Sequence, residues 1–234
     1  MYYRILSICI ITLILSAMSS FSMNRKEMLS QVKWTIRDNP QFVMKHKFTD
    51  EILIDLINDA HREINDITWT IHNSTRIVLS AGTTSYSLPN DCYAINRVLL
   101  NLDTILSEKT ITALDNEADG WYKSSTNTPT YYYQSWDKTK ISFYPCPDTS
   151  YVIDMDYTQI ASDLTSDTSV PFNGIDKYKT YHNLIVWRVV AYCLSVDNSP
   201  NATIFWELWS NGVGRMANQI GVTPNYIPFM SGKR

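Results

Sequence analysis

Apolar residues recur at three- and four-residue steps early in the chain, then at every second position, then at helical steps again. Met28, Leu29, Val32 and Ile36 mark a first helix over Asn24–Arg37, with Lys, Gln and Arg between them. Asp38-Asn39-Pro40 ends it, because the residue before a proline avoids helical dihedrals. The second helix carries a sharper signal. Thr49 suits its N-cap, and Asp50 and Glu51 place negative charge where the helix dipole favours it. Ile52, Leu53, Leu56, Ile57, Ala60, Ile64 and Ile67 then form one stripe. Asp55, Asp59 and Glu63 read as a solvated face rather than a metal ladder, since hard cations need oxygens that converge.

From Thr75 the period becomes two. Arg76–Leu79 and Tyr86–Leu88 flank a turn at Ala81-Gly82-Thr83-Thr84, and Pro89-Asn90-Asp91 stops the second of these strands. Further strands are expected over Tyr93–Leu102 and Lys109–Leu114, with a turn of helix over Asp115–Tyr122. Tyr131-Tyr132-Tyr133 and Lys140–Tyr144 form a hairpin around Asp137-Lys138, and Val152–Tyr157 is the last long strand. Pro145-Cys146-Pro147 closes Lys140–Tyr144 and gives it the look of a proline-bracketed edge strand.

After a polar loop over Ser162–Gly174, a third helix is expected from Asp176 to Val196. It is apolar almost all round between Leu184 and Leu194, interrupted only by Arg188, so it belongs at the centre of a bundle. Asp197-Asn198-Ser199-Pro200 breaks the chain, and Ala202–Ile220 is a fourth helix bearing Phe205, Trp206, Trp209 and Met216. The expected fold class is α+β, a helical bundle with an inserted antiparallel β-sandwich or barrel-like module. The partition is an apolar leader at 1–22, two helices at 23–74, the inserted module at 75–172, two helices at 173–220 and an extended tail at 221–234.

Composition adds aromatics and removes a charged partner. Tyr and Trp number 15 and 7, an excess that suits either a sheet-rich core or surfaces buried against other chains. The formal net charge is -3, and no basic run exceeds Lys45-His46-Lys47, so no face grips nucleic acid electrostatically. Cys9, Cys92, Cys146 and Cys193 form no Cys-x-x-Cys pair and no Cys/His cluster. Ile5–Leu15 is apolar and shorter than the roughly 20 residues of a membrane span. It reads either as a signal peptide or as residues ahead of a true start at Met23.

Chemistry is thin. His46, His61, His72 and His182 make no metal-spaced pair, and His182 is expected at the surface or as a cap. No phosphate-cradling or nucleophile-elbow motif occurs. Asp115, Glu117, Asp119, Asp154 and Asp156 lie on or near strands and could pair for glycoside chemistry only if a pocket brought them together. No metal or cofactor is expected, and the chain reads as a building part rather than an enzyme.

Several ordered segments resemble tailed-phage head-to-tail connector (adaptor) proteins. They are Phe48–Ala60, Gly82–Asp91 with its Leu-Pro-Asn-Asp, Trp121 with Thr128-Pro129-Thr130-Tyr131, Ile141–Pro147, and Tyr157 with Asp163-Leu164 and Pro171 leading into an apolar helix. The resemblance spans roughly Asn24 to Met216. It implies a structural virion protein, assembled in the host cytoplasm, that forms a ring under the portal protein in the phage neck. Commonly twelve copies would contact one another, link head to tail, meet tail or nozzle proteins and extend the channel for double-stranded DNA. No membrane is involved. Trp206, Trp209, Tyr226 and Phe229 are the expected contacts to the portal or a neighbouring copy, the two tryptophans being bundle core otherwise. The apolar leader and tyrosine-rich strands support an alternative, an exported carbohydrate-binding or adhesion module. A hydrolase using acids of the β module is a further rival.

Overall fold

The structure, a computed structural model, describes residues 22–37, 48–117, 121 and 126–222. The described chain is α+β and divides into two compact units. One takes the chain up to Ile71 and again from Ala161, and the other is His72–Ile160. Five helices are described: α1 (Arg25–Arg37), α2 (Asp50–Thr68), α3 (Ile111–Glu117), α4 (His182–Val196) and α5 (Ala202–Ile220). Eight strands are described: β1 (His72–Leu79), β2 (Ser85–Ser87), β3 (Cys92–Leu100), β4 (Thr104–Ile105), β5 (Ser107–Glu108), β6 (Tyr131–Gln134), β7 (Lys140–Tyr144) and β8 (Tyr151–Gln159).

The helical unit is built on α4, which packs against α1, α2 and α5, while α2 also meets α1 and α5. Leu184, Ile185, Val186, Val189, Val190, Ala191, Cys193 and Leu194 of α4 are buried. Each large apolar side chain so enclosed contributes about 1.5–3 kcal/mol. Gly212 of α5 lets that helix approach α4 closely, since a Cβ there would lie 2.2 Å from Leu184 Cδ2. The α1 start is a reciprocal cap: Asn24 Oδ1 accepts from the Glu27 N–H at 2.9 Å and Glu27 Oε2 accepts from the Asn24 N–H at 2.8 Å. Thr49 caps α2 as expected, its Oγ1 accepting from the Ile52 N–H. The third helix starts later than its sequence suggests, because Asp176–Tyr181 winds as a 3₁₀ turn before α4.

The second unit holds two four-stranded sheets ordered β1-β8-β3-β4 and β2-β7-β6-β5. All pairings are antiparallel except β5 with β6. Neither sheet closes on itself among the described residues. Both contribute to one apolar core, with Leu79, Val98, Ile153 and Met155 from the first sheet and Tyr132, Ile141 and Phe143 from the second. β1 and β8 pair without a slip from His72↔Thr158 to Leu79↔Tyr151. The β7 strand is interior, between β2 and β6, so the prolines after it do not mark an edge.

Two expectations are corrected here. Residues 111–117 are helical, not the end of a strand, because Thr110 Oγ1 accepts from the Ala113 N–H and caps α3. The strand expected to reach Leu102 ends at Leu100, where Asn101 and Leu102 turn with φ of 52° and 65°.

Candidate functional site

Trp206 and Trp209 stand on α5 with their rings edge to face at 5.7 Å. Trp209 is 0 % exposed, while Trp206 is half-buried. The Trp206 indole N–H donates to Ser195 Oγ at 2.9 Å, and that hydroxyl donates to the Ala191 carbonyl at 2.7 Å. Arg188 completes the stack. Its guanidinium lies 4.5 Å from the Trp206 ring centre and 5.6 Å from that of Trp209, and its Nε donates to Glu63 Oε2 at 2.7 Å. The one charged residue in the apolar run of α4 is thus neutralised by α2 and shielded by α5.

The outcome is a rigid aromatic edge. Trp209 supports it from inside, and Trp206 offers one side to solvent. Tyr192 and Val196 follow Arg188 at steps of four on α4 and are exposed. Tyr226 and Phe229 lie outside the described residues.

In the second unit Trp136 is the most open large side chain, 85 % exposed at the β6–β7 turn, and Leu102 and Ile105 are exposed around the β3–β4 turn. Trp121 stands edge-on to Tyr133 and Tyr144 at 5.2 and 5.8 Å, and its indole N–H donates to Asp115 at 2.7 Å.

The acids considered for catalysis do not converge where they are described. Asp154 pairs with Arg76 at 2.8 Å and Asp156 with Arg97 at 2.6 Å, as cross-strand partners. The side chains of Glu117 and Asp119 are outside the described set. An open depression of about 350 Å³ has Glu108, Lys109, Lys138 and Trp136 among its lining residues. No group of three His, Cys, Asp or Glu side chains among the described residues could hold a metal ion. No helix among them is long and apolar enough to cross a membrane.

Two histidines are placed where the sequence does not suggest them. His182, expected at the surface or as a cap, is fully buried, and His61 is 2 % exposed. His182 Nδ1 accepts from the Met23 N–H at 2.9 Å, and His61 Nε2 accepts from the Phe172 N–H at 3.0 Å. The ring of Phe172 packs edge-on to His61 at 5.1 Å and lies 5.9 Å from His182. Burial drives the His61 ring down to about 4, with His182 adding to the shift, and burial does the same to His182. Phe172, Asn173 and Gly174 all have positive φ, at 52°, 54° and 68°. Such a run costs about 1–2 kcal/mol for each residue that is not glycine, so tertiary contacts must hold it. The buried stripes show how both rings could have been found: His61 falls between Ile57 and Ile64 at steps of four and three, and His182 precedes Ile185 and Val189 likewise.

A search among curated proteins returned no match. The sequence profile of the SU10 adaptor protein family does match, over residues 23–226, which takes in both units. In the β unit, Asp154 and Asp156 are tied up in ion pairs with Arg76 and Arg97. The chain belongs to the SU10 adaptor protein family, a phage head–tail adaptor family, and is a structural component of the virion.

Proposed function

We propose that the chain is a subunit of a neck ring bound under the portal protein, linking head to tail and extending the DNA channel. The family match over residues 23–226 carries this reading. Neighbouring copies would meet head to tail, as ring closure demands, with about twelve around the axis. Trp206 is the proposed contact on the helical unit, with Trp209 as its support and Arg188 as its brace. Tyr226 and Phe229 are proposed to order on the portal or on the adjacent copy. The two sheets would act as a sandwich that presents the exposed turns at Trp136 and Leu102 to tail or nozzle proteins. Double-stranded DNA would pass without sequence recognition, which agrees with a net charge of -3. Assembly would take place in the host cytoplasm, from soluble subunits that join on the portal.

The test mixes purified chain with portal rings and images the product. Decorated portals are expected, and undecorated ones at micromolar excess would count against the proposal. Truncation after Gly221 and Trp206→Ala should each weaken decoration while leaving the helical circular dichroism unchanged.

A further inference from the structure

Both buried imidazoles act as acceptors, and an imidazole nitrogen accepts only when it carries no proton. His61 must keep Nε2 free for the Phe172 N–H, and His182 must keep Nδ1 free for the Met23 N–H. These bonds span 111 and 159 positions of sequence, so each fastens a distant segment to a helix rather than trimming a local turn. Phe172 sits between the two rings, at the head of the left-handed run through Gly174. We propose that His61 and His182 form an acid-released clasp, holding Met23 and the Phe172 turn to the helical unit and letting both go when the rings take up protons.

The surroundings fit such a device. A proton on His61 Nε2 would face the Phe172 N–H donor to donor, and one on His182 Nδ1 would face that of Met23. The charges felt at His61 are those of Arg62 on its own helix, Asp163 from the segment after β8, and His182 across Phe172. A backbone hydrogen bond at Ser162 and the Asp163 carboxylate favour a charged His61 ring, but Asp163 is engaged by Arg62, which disfavours one. At His182 a backbone hydrogen bond at Met23 favours charge and Lys179 from the 3₁₀ turn opposes it, and in both rings burial outweighs these. Each ring is held down to about 4 in the fold and titrates near 6.5 when released, so protons favour the open form. The clasp is therefore fully closed above about pH 6.5 and loosens as the pH falls toward 4. Once the ties break, the costly positive-φ run at Phe172 and Asn173 is held only by the buried Phe172 ring and by the bonds from the Gly174 and Ile175 N–H groups to the Pro171 and Phe172 carbonyls.

The test is amide exchange by NMR on the full 234-residue chain, in which Ser22 precedes Met23 and gives it a backbone amide, between about pH 7 and pH 4, corrected for intrinsic rates. Protection of the Met23 and Phe172 amides should fall roughly 100-fold across that range while Val190 and Leu194 of α4 stay protected. The double variant His61→Gln with His182→Asn keeps an acceptor near each position without a titrating ring, and there the two amides should keep their protection. Loss of all four amides in step, or the wild-type pH response in the double variant, would overturn the clasp. If the double variant does not fold, ring ¹⁵N shifts of the wild-type chain at about pH 6 decide. Unprotonated His61 Nε2 and His182 Nδ1 support the clasp, and charged rings in the folded chain rule it out.

Discussion

Arg188 and Trp206 meet face to charge: the guanidinium stands 4.5 Å from the indole centre while its Nε remains bonded to Glu63 at 2.7 Å. A single cation thereby joins three helices of the bundle. Arg188→Ala should strip Glu63 of its partner and Trp206 of its flat neighbour, lowering stability by about 1–3 kcal/mol. Arg188→Lys keeps the charge but not the planar fork and should recover only part of that. Urea unfolding of both variants, and a double-mutant cycle with Trp206→Phe, measure the coupling, which would be near zero if the stacking contributed nothing.

Gly212 tests the α4–α5 approach. Gly212→Ala places a methyl 2.2 Å from Leu184 Cδ2, so the helices must part or the leucine must move, at a cost of about 1–3 kcal/mol. Adding Leu184→Ala removes the obstructing atoms. The double variant is expected to lose less than the sum of the singles, and additive losses would place the strain elsewhere.

Asn58 lies on the buried side of α2, and its Oδ1 accepts from the Leu164 N–H at 2.9 Å. Asn58→Leu fills the space but orphans that buried donor, so thermal melting should show a loss of about 1–3 kcal/mol. Asn58→Asp restores an acceptor at neutral pH and should fall between the two.

The thiols should separate by reactivity. Burial pushes Cys193 up to about 12, and the side chain is fully enclosed. Maleimide labelling at about pH 7 followed by peptide mass analysis should leave Cys193 unmodified until denaturant is added, whereas Cys92 and Cys146, both half-buried, should react first. Native labelling of Cys193 would mean that α4 opens far more readily than its packing implies.

Helices were legible wherever the stripe and the cap agreed. Thr49, Asp50 and the leucine–isoleucine series fix α2 almost to the residue, and Arg188 stood out because nothing else interrupts the apolar run of α4. The strands around the β6–β7 turn could be read because Asp137-Lys138 punctuates them. What failed was local ambiguity: Thr110-Ile111-Thr112 alternates like a strand, yet a hydroxyl cap turns it into a helix. Sheet order was illegible for a different reason. β1 finds β8 across most of the β unit, and such pairing leaves no mark in either strand alone. His182 contradicts its surface expectation, and nothing in the pattern marks His61 or Asn58 as buried acceptors, although each occupies a core position of its helix and accepts from a backbone donor far away. The braced stack on Trp206 could not be foreseen either, since Glu63 and Ser195 sit on different helices and only the packing joins them.

The uninterrupted ladder between β1 and β8 makes His72 and Thr158 direct neighbours. The chain therefore departs from the helices and comes back to them through two points about 5 Å apart. The entropy of closing so long an excursion is met by its own strand pairs, and the helical part feels little more than a short linker. Sequence between those points is free to lengthen, shrink or be replaced by another module with equally close ends.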